Sequence, residues 1–385
     1  MIDRLIIPHA KLALSQFRAL CVTGPRQSGK TTLSKQLSKS KPYFNFENPT
    51  LQYEVEQAPE GFLNKIKGGA ILDEVQHVPD LFRYLHEMMD NNKERGQFIL
   101  TGSNNFLMHE KISQSLAGRA GYLTLLPLCY EELLNSNLDH TDDIDRIMLT
   151  GSYPEIWEQA LIPHLWMDSY ISTYVQRDVR LIKNIVDLGA FKRFITFCAN
   201  GAGQLINRDE LSRNTRVDSK TIQSWLGLLE NSYIAYTLQP WFGNPNKRII
   251  KSHKLYFFDT GLLCFLLGIN SVSALRKSSH YGAIFENWII NEIRKNIFNY
   301  GYVDQLFFYR DNSQNEVDLI IQRDGQLTAL EIKSSNKFSP DQLRGLNFWR
   351  KINPDAQCIL MNTGSQSRSI DEHLSLLSWS DVKNI

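Results

Sequence analysis

The residues Gly24-Pro25-Arg26-Gln27-Ser28-Gly29-Lys30-Thr31 fit G-x-x-x-x-G-K-[ST] without a mismatch. That spacing suits a chain of phosphates. Glycines let successive backbone N–H groups turn toward the anion, Lys30 can reach the β- and γ-phosphates, and the Thr31 hydroxyl can ligate Mg²⁺. Thr32 completes a set of ATP-binding candidates running from Gly24 to Thr32. Farther along, Gly69-Ala70-Ile71-Leu72-Asp73-Glu74 places adjacent acids at the tip of an apolar run. There Asp73 is suited to orient hydrated Mg²⁺, and Glu74 to polarise an attacking water.

A second constellation lies near the other end. Asp318 sits in Glu316-Val317-Asp318-Leu319-Ile320-Ile321, and Glu331 and Lys333 sit in Leu327-Thr328-Ala329-Leu330-Glu331-Ile332-Lys333. A turn at Asp324-Gly325 makes these runs a hairpin, which can stand the two acids side by side with Lys333 on the same face. Paired carboxylates with a lysine suit metal-assisted phosphodiester cleavage: the acids hold Mg²⁺ or Mn²⁺ while Lys333 orients or deprotonates water. Glu286, on the preceding amphipathic helix, is a candidate to complete the metal shell. An ordinary solvated sheet face carries the same residues.

The elements around these residues follow from pattern. Ala19 to Thr23 reads as a buried strand, and Thr32 to Ser38 as a helix, so strand, loop and helix come in the order a phosphate site requires. Further strands are expected at 43–46, 69–74, 98–104 and 122–126. The fourth ends in Ser103 and Asn104, candidate sensors of the γ-phosphate, and Arg119 before the fifth is a candidate arginine finger. His86-Glu87 begins like a zinc motif, but position 90 is aspartate.

Past Gly201, Asn207 and Asp218 are helix caps, the second opening a helix that turns Ile222, Trp225, Leu226 and Leu229 inward. Strands at 234–238 and 255–258 then flank a connection carrying Lys247, Arg248, Lys251 and Lys254 and no acid. Two helices and a basic hairpin suggest a winged helix-turn-helix whose wing contacts DNA phosphates without reading sequence. A protein-docking module or a solvated turn fits the same pattern.

The first half resembles the AAA+ class of P-loop ATPases, in which the acid-bearing third strand and the sensor strand are expected to flank the phosphate-loop strand. Gly151-Ser152-Tyr153-Pro154-Glu155 and Tyr170 to Val179, with Arg177 and Asp178, are similar to signatures of a widespread prokaryotic ATPase family whose C-terminal half is a domain of unknown function. Ser152 stands where that family usually has glycine. The last segment resembles the PD-(D/E)-x-K nuclease superfamily, with Asp318, Glu331 and Lys333 in its acid and E-x-K positions and Gln342 in an accessory one. These resemblances imply an α/β chain in four parts. An AAA+ three-layer sandwich spans 1–135, a helical linker or lid 136–200, a winged helix-turn-helix 201–272 and a restriction-endonuclease-like α/β domain 273–385. They also imply oligomerisation, because AAA+ relatives commonly place a neighbour's arginine in the active site.

Composition sets bounds on this reading. The 385 residues are 42% hydrophobic and 22% charged with a net charge of +1, so a nucleic-acid partner would be held by local basic patches. Five cysteines without a C-x-x-C pair read as buried thiols of a reducing compartment. With no secretory pattern and no membrane span, the expected location is cytoplasmic. The leading expectation is a DNA-acting ATPase whose nucleotide state gates a nuclease-like domain. The alternatives are a regulatory ATPase whose C-terminal half only docks DNA or protein, and a P-loop kinase, disfavoured by Glu74 beside Asp73.

Overall fold

The computed structural model describes residues 2–102, 116–136, 138–179, 187–243 and 252–385, without the side chains of residues 176–178. Contacts divide the chain into two compact units. One comprises residues 1–128 with 231–233 and 298–301, and the other comprises the rest.

The first unit is built on five parallel strands in the order β2-β3-β4-β1-β5. They are β1 (Ala19–Thr23), β2 (Tyr43–Asn45), β3 (Ala70–Asp73), β4 (Phe98–Gly102) and β5 (Ala120–Thr124). Every β1 residue is buried, as a parallel strand covered on both faces requires. Alternation splits it: Leu20 and Val22 join a cluster with Ala10, Ala13 and Leu33, while Ala19 and Cys21 join one with Phe62, Phe82 and Leu85. Helices α1 (Ile7–Gln16) and α2 (Lys30–Leu37) therefore cover one face. The opposite face is covered by α3 (Pro49–Gln57), α4 (Pro59–Lys65) and α5 (Leu81–Asn91).

The strand order corrects one expectation. The phosphate-loop strand β1 is flanked by β4 and β5, and the acid-bearing β3 lies beyond β4. Asp73 consequently reaches the loop across β4 rather than from an adjoining strand.

The second unit carries an eight-stranded sheet, ordered β12-β13-β11-β10-β9-β8-β6-β7. Its first strands, β6 (Ala235–Pro240) and β7 (Lys254–Phe257), pair antiparallel behind the helices Arg208–Thr215 and Ser219–Asn231. Asn207 and Asp218 cap those helices as expected. Ile222, Trp225 and Leu229 point inward, with Leu228 buried in preference to the half-buried Leu226. The hairpin is not a separate wing, however. Its β6 also pairs, in parallel, with β8 (Gln305–Arg310), so one sheet runs through the boundary expected at 272.

The strands β9 (Glu316–Arg323) and β10 (Gln326–Lys333) form the expected hairpin, with Arg323 opposite Gln326. Its two turn residues, Asp324 and Gly325, both have positive φ, +49° and +82°, which matches the twist of a two-residue hairpin. Parallel strands β11 (Gln357–Asn362) and β13 (Leu374–Ser378) extend the sheet beyond β10, and the short β12 (Arg368–Asp371) closes its edge. Trp349 and Leu346, from the helix Arg344–Ile352, pack against Val317, Ile320 and Ala329 of the hairpin.

Candidate functional site

The candidate residues gather in two clusters. In the first, Gly24 leaves β1 at φ +144° with its Cα against the Leu125 carbonyl; an added Cβ would lie 2.1 Å from that oxygen, so only glycine fits. Gly29, at φ +95°, opens α2 and presents the helix N-terminus. Between them Lys30 is buried, its Nζ donating to the carbonyls of Gly24 at 3.0 Å and Pro25 at 2.8 Å. The ammonium thus rests on the rim of its own loop, where it can turn to a phosphate. Burial pulls its pKa down to about 8, with Glu74 and Asp73 opposing the fall.

Asp73 collects three hydroxyls. Thr31 Oγ1 donates to its Oδ2 at 2.8 Å and Tyr43 Oη to the same oxygen at 2.6 Å, while Thr101 Oγ1 donates to Oδ1. The loop threonine and the β3 carboxylate are therefore within one ligand shell, with β4 supplying the bridge. Burial, then the Asp73 hydrogen bond, hold the Tyr43 phenol protonated well above its ordinary range. Tyr43 and Thr101 were not legible as site residues, since neither belongs to a spaced motif. Glu74 adopts φ +54°, and its N–H donates to Thr101 Oγ1 at 3.2 Å. Left-handed backbone is uncommon for a glutamate, and here it directly follows the buried carboxylate of Asp73.

Arg119 is placed elsewhere. Its carbonyl accepts from Ala19 N–H at the start of β1, the sheet edge opposite the loop, and its guanidinium grips Asp90 at 2.7 and 2.8 Å. It cannot reach a nucleotide held by its own loop. Ser103 and Asn104 lie outside the described residues.

The titration of Lys30 yields a testable pH dependence. Folding lowers its pKa from 10.5 to about 8, so the unfolded chain binds more protons between those values and apo stability rises across that window. A triphosphate ligand would favour the charged amine. Affinity should hold up to about pH 8 and then fall by up to roughly tenfold per unit, as binding must take up a proton. Titrations of ATP at pH 7 to 9.5 check this, and a flat profile rejects it.

The second cluster converges where β9, β10, β7 and the helix Tyr281–Tyr300 meet. Leu319 pairs with Leu330, so Asp318 and Glu331 stand opposite each other one step along. Lys333 Nζ lies 2.5 Å from Glu331 Oε1 and 3.6 Å from Asp318 Oδ2, and Ile332 N–H donates to Asp318 Oδ2 at 2.8 Å. Burial, reinforced by Asp318 and opposed by Lys333, pushes the Glu331 carboxyl up to about 8. Its Oε2 is buried beside Gly345, with no hydrogen-bond partner among the described residues.

Lys254 requires a correction. Instead of standing on an exposed wing, it is 2% exposed on β7, its Nζ 2.7 Å from Glu316 Oε1 and 3.3 Å from Glu286 Oε1. Burial lowers its pKa, but Glu286, Asp318 and Glu316 outweigh that and hold it above its ordinary value. A phosphate contact would require giving up both partners. Glu286 also accepts from Tyr256 Oη at 2.5 Å, and Glu316 is shared with Arg310 at 3.4 Å. Among the described residues no three His, Cys, Asp or Glu side chains stand together as a metal-ligand set. Gln342 does not face the acids either: it closes a capping box with Ser339 and donates to the Lys337 carbonyl. Lys247, Arg248 and Lys251 lie outside the described residues, as do the side chains of Arg177 and Asp178.

The signature Gly151-Ser152 does have a structural role. Ser152 N–H donates to buried Asp259 at 2.7 Å, and Ser152 Oγ accepts from buried Lys295 at 2.9 Å. A second glycine there would lose the hydroxyl that Lys295 uses. All five cysteines are buried and none is in a disulfide, and no helix among the described residues is long and apolar enough to cross a membrane.

Residues 16–134 match the AAA domain family, residues 141–273 a domain of unknown function, DUF8612, and residues 281–382 another, DUF4143. An uncharacterized protein of Mycobacterium tuberculosis and one of Mycobacterium bovis are each 31% identical over 328 residues, covering 84% of this chain and 72% of theirs. One from Haemophilus influenzae is 23% identical over 304 residues, covering 71% of this chain and 73% of its own. Among solved structures, a Walker-type ATPase of Pyrococcus abyssi is 16% identical with a TM-score of 0.46, covering 69% of this chain and 96% of that one. The RuvB Holliday junction branch migration motor of Thermotoga maritima is 18% identical with a TM-score of 0.30, covering 60% and 86%.

Proposed function

We propose that this chain, which belongs to the family of its mycobacterial relatives and matches the AAA domain over residues 16–134, is an ATP-hydrolysing switch whose nucleotide state governs a DNA-handling C-terminal half. The contact of Thr31 with Asp73, beside the buried Lys30, carries the ATPase reading. Hydroxyl and carboxylate are the two protein ligands a Mg-nucleotide takes in a P-loop site, and their 2.8 Å approach fits that ion. Mg²⁺ held there would neutralise charge developing on the phosphoryl oxygens.

This chain's own residues do the rest. The N–H groups between Gly24 and Thr32, Pro25 excepted, turn to the phosphates, Lys30 leaves the Gly24 and Pro25 carbonyls for the β/γ oxygens, and Glu74 orients the attacking water. Ser103 and Asn104 remain the candidate γ-phosphate sensors. Arg119, opposite its own loop, could serve only the nucleotide of a neighbouring copy, so its role and oligomerisation stand or fall together.

For the C-terminal half, Lys247, Arg248 and Lys251 are the candidate phosphate contacts. A second reading, metal-dependent phosphodiester cleavage, is favoured by the pairing of Asp318 and Glu331 and by the partnerless Glu331 Oε2. Asp318 and Glu331 would hold Mg²⁺ or Mn²⁺, with Lys333 at the water and Glu286, which Lys254 and Tyr256 hold beside them, the candidate third ligand. If the half only docks, the acid–lysine cluster is structural. Incubating the full chain with Mg²⁺ or Mn²⁺ and a panel of linear, single-stranded and branched DNA decides between them. Cleavage lost in Lys333→Ala with ATP turnover intact supports the second reading, and no cleavage of any form removes it. Should DNA neither bind nor change ATP turnover, the DNA switch itself is wrong.

A further inference from the structure

The chain has a buried guanidinium under the phosphate loop that no motif announces. Arg4, just before α1, is 8% exposed; its Nη1 donates to the Ser28 carbonyl at 2.7 Å and its Nη2 to the Leu126 carbonyl at 2.6 Å. Nη1 also lies 3.5 Å from where a Cβ on Gly29 would stand. Leu125 and Leu126 leave β5 against the loop: Leu125 N–H donates to the Thr23 carbonyl, and the Leu125 carbonyl is the oxygen that Gly24 packs on. One side chain therefore ties the loop's last peptide to the wall on which its first glycine rests.

The geometry of a trans amide gives this tie a consequence. In a planar peptide the C=O and N–H point in opposite directions, so holding the Ser28 carbonyl down on Arg4 turns the Gly29 N–H up, toward the phosphate side. That N–H opens α2 at the helix N-terminus, where a β-phosphate would be gripped. The guanidinium also places a fixed positive charge behind the loop, in a setting where burial keeps it from being screened by water.

We infer that Arg4 is a positioning residue for nucleotide binding: it pre-orients the Ser28–Gly29 peptide and holds the loop open against β5 before ATP arrives. Arginine suits the task because its planar fork holds two separated carbonyls through two different nitrogens in one fixed plane, whereas the three donors of a lysine radiate from a single nitrogen with no fixed plane. The inference rests on the ATP-site reading but concerns binding rather than turnover or DNA.

The test is the dissociation constant of ATP, measured on the full chain for wild type, Arg4→Ala, Arg4→Lys and Leu85→Ala. Leu85 is fully buried under the far face of the same sheet, so its truncation destabilises the unit without touching the loop. Arg4→Ala should weaken ATP about tenfold to a hundredfold, the scale of charge-assisted hydrogen bonds lost from a buried pair of carbonyls. Arg4→Lys should recover part of that, KM should move with the dissociation constant while kcat moves less, and Leu85→Ala should lower the melting temperature at constant affinity. Unchanged affinity in Arg4→Ala, or an equal loss in Leu85→Ala, overturns the role. Wild type that binds no ATP would instead refute the ATPase reading itself.

Discussion

Lys30→Ala is expected to reduce ATP turnover by roughly 100- to 1000-fold or more, the scale on which a single preorganised electrostatic group acts at a phosphoryl or acyl transition state. The same substitution should leave the apo protein as stable as wild type or more so. The reason is visible in the site: Lys30 is buried, and the fall of its pKa from 10.5 to about 8 corresponds to about 3 kcal/mol of cost for holding the charge there. Its hydrogen bonds to Gly24 and Pro25 oppose that cost. A group that is costly in the empty site and favourable beside a triphosphate is a binding device, not a stabilising one. Steady-state turnover together with thermal melting checks both halves, and an active Lys30→Ala protein would remove the phosphate loop from the mechanism.

How much of this was legible in sequence depended on whether the signal was local. The loop was, because its glycines, lysine and threonine are contiguous and the backbone conformations they demand are set by neighbours. The hairpin bearing Asp318, Glu331 and Lys333 was too, since a two-residue Asp-Gly turn fixes register and alternation puts the three on one face. Strand order was not legible: nothing within β3 or β4 says which lies beside β1, because parallel neighbours are chosen by crossovers and packing of whole helices. Arg4 escaped for a related reason. A lone arginine far in sequence from its carbonyl partners has no spacing to betray it.

Lys254 misled for the opposite reason: it closes a run with Lys247, Arg248 and Lys251, so its charge was grouped with theirs. The better clue was the strand it begins, Lys254-Leu255-Tyr256-Phe257, all four residues of which are buried. A lysine entering a wholly buried strand needs anionic company, and the sequence supplies it only at a distance, in Glu286 and Glu316.

That burial implies the second large effect. Lys254→Met should destabilise the second unit by about 3–5 kcal/mol, the usual result of removing one partner from a buried ion pair and leaving the other uncompensated. The two acids do not suffer equally. Glu316 keeps Arg310 at 3.4 Å, whereas Glu286 keeps only the Tyr256 hydroxyl among the contacts described, so most of the loss falls on Glu286. Adding Glu286→Gln to Lys254→Met should therefore return a substantial part of the stability, and the double-mutant cycle should show strong coupling between positions 254 and 286. Chemical denaturation of the full chain, followed by tryptophan fluorescence, measures each variant. If Lys254→Met unfolds within about 1 kcal/mol of wild type but loses DNA affinity and part of its salt dependence, the ammonium serves the basic connection rather than the acids. A large loss of stability recovered by Glu286→Gln makes Lys254 the internal counter-ion of the acid–lysine cluster, and any metal that Asp318 and Glu331 take must bind beside a charge the fold already supplies.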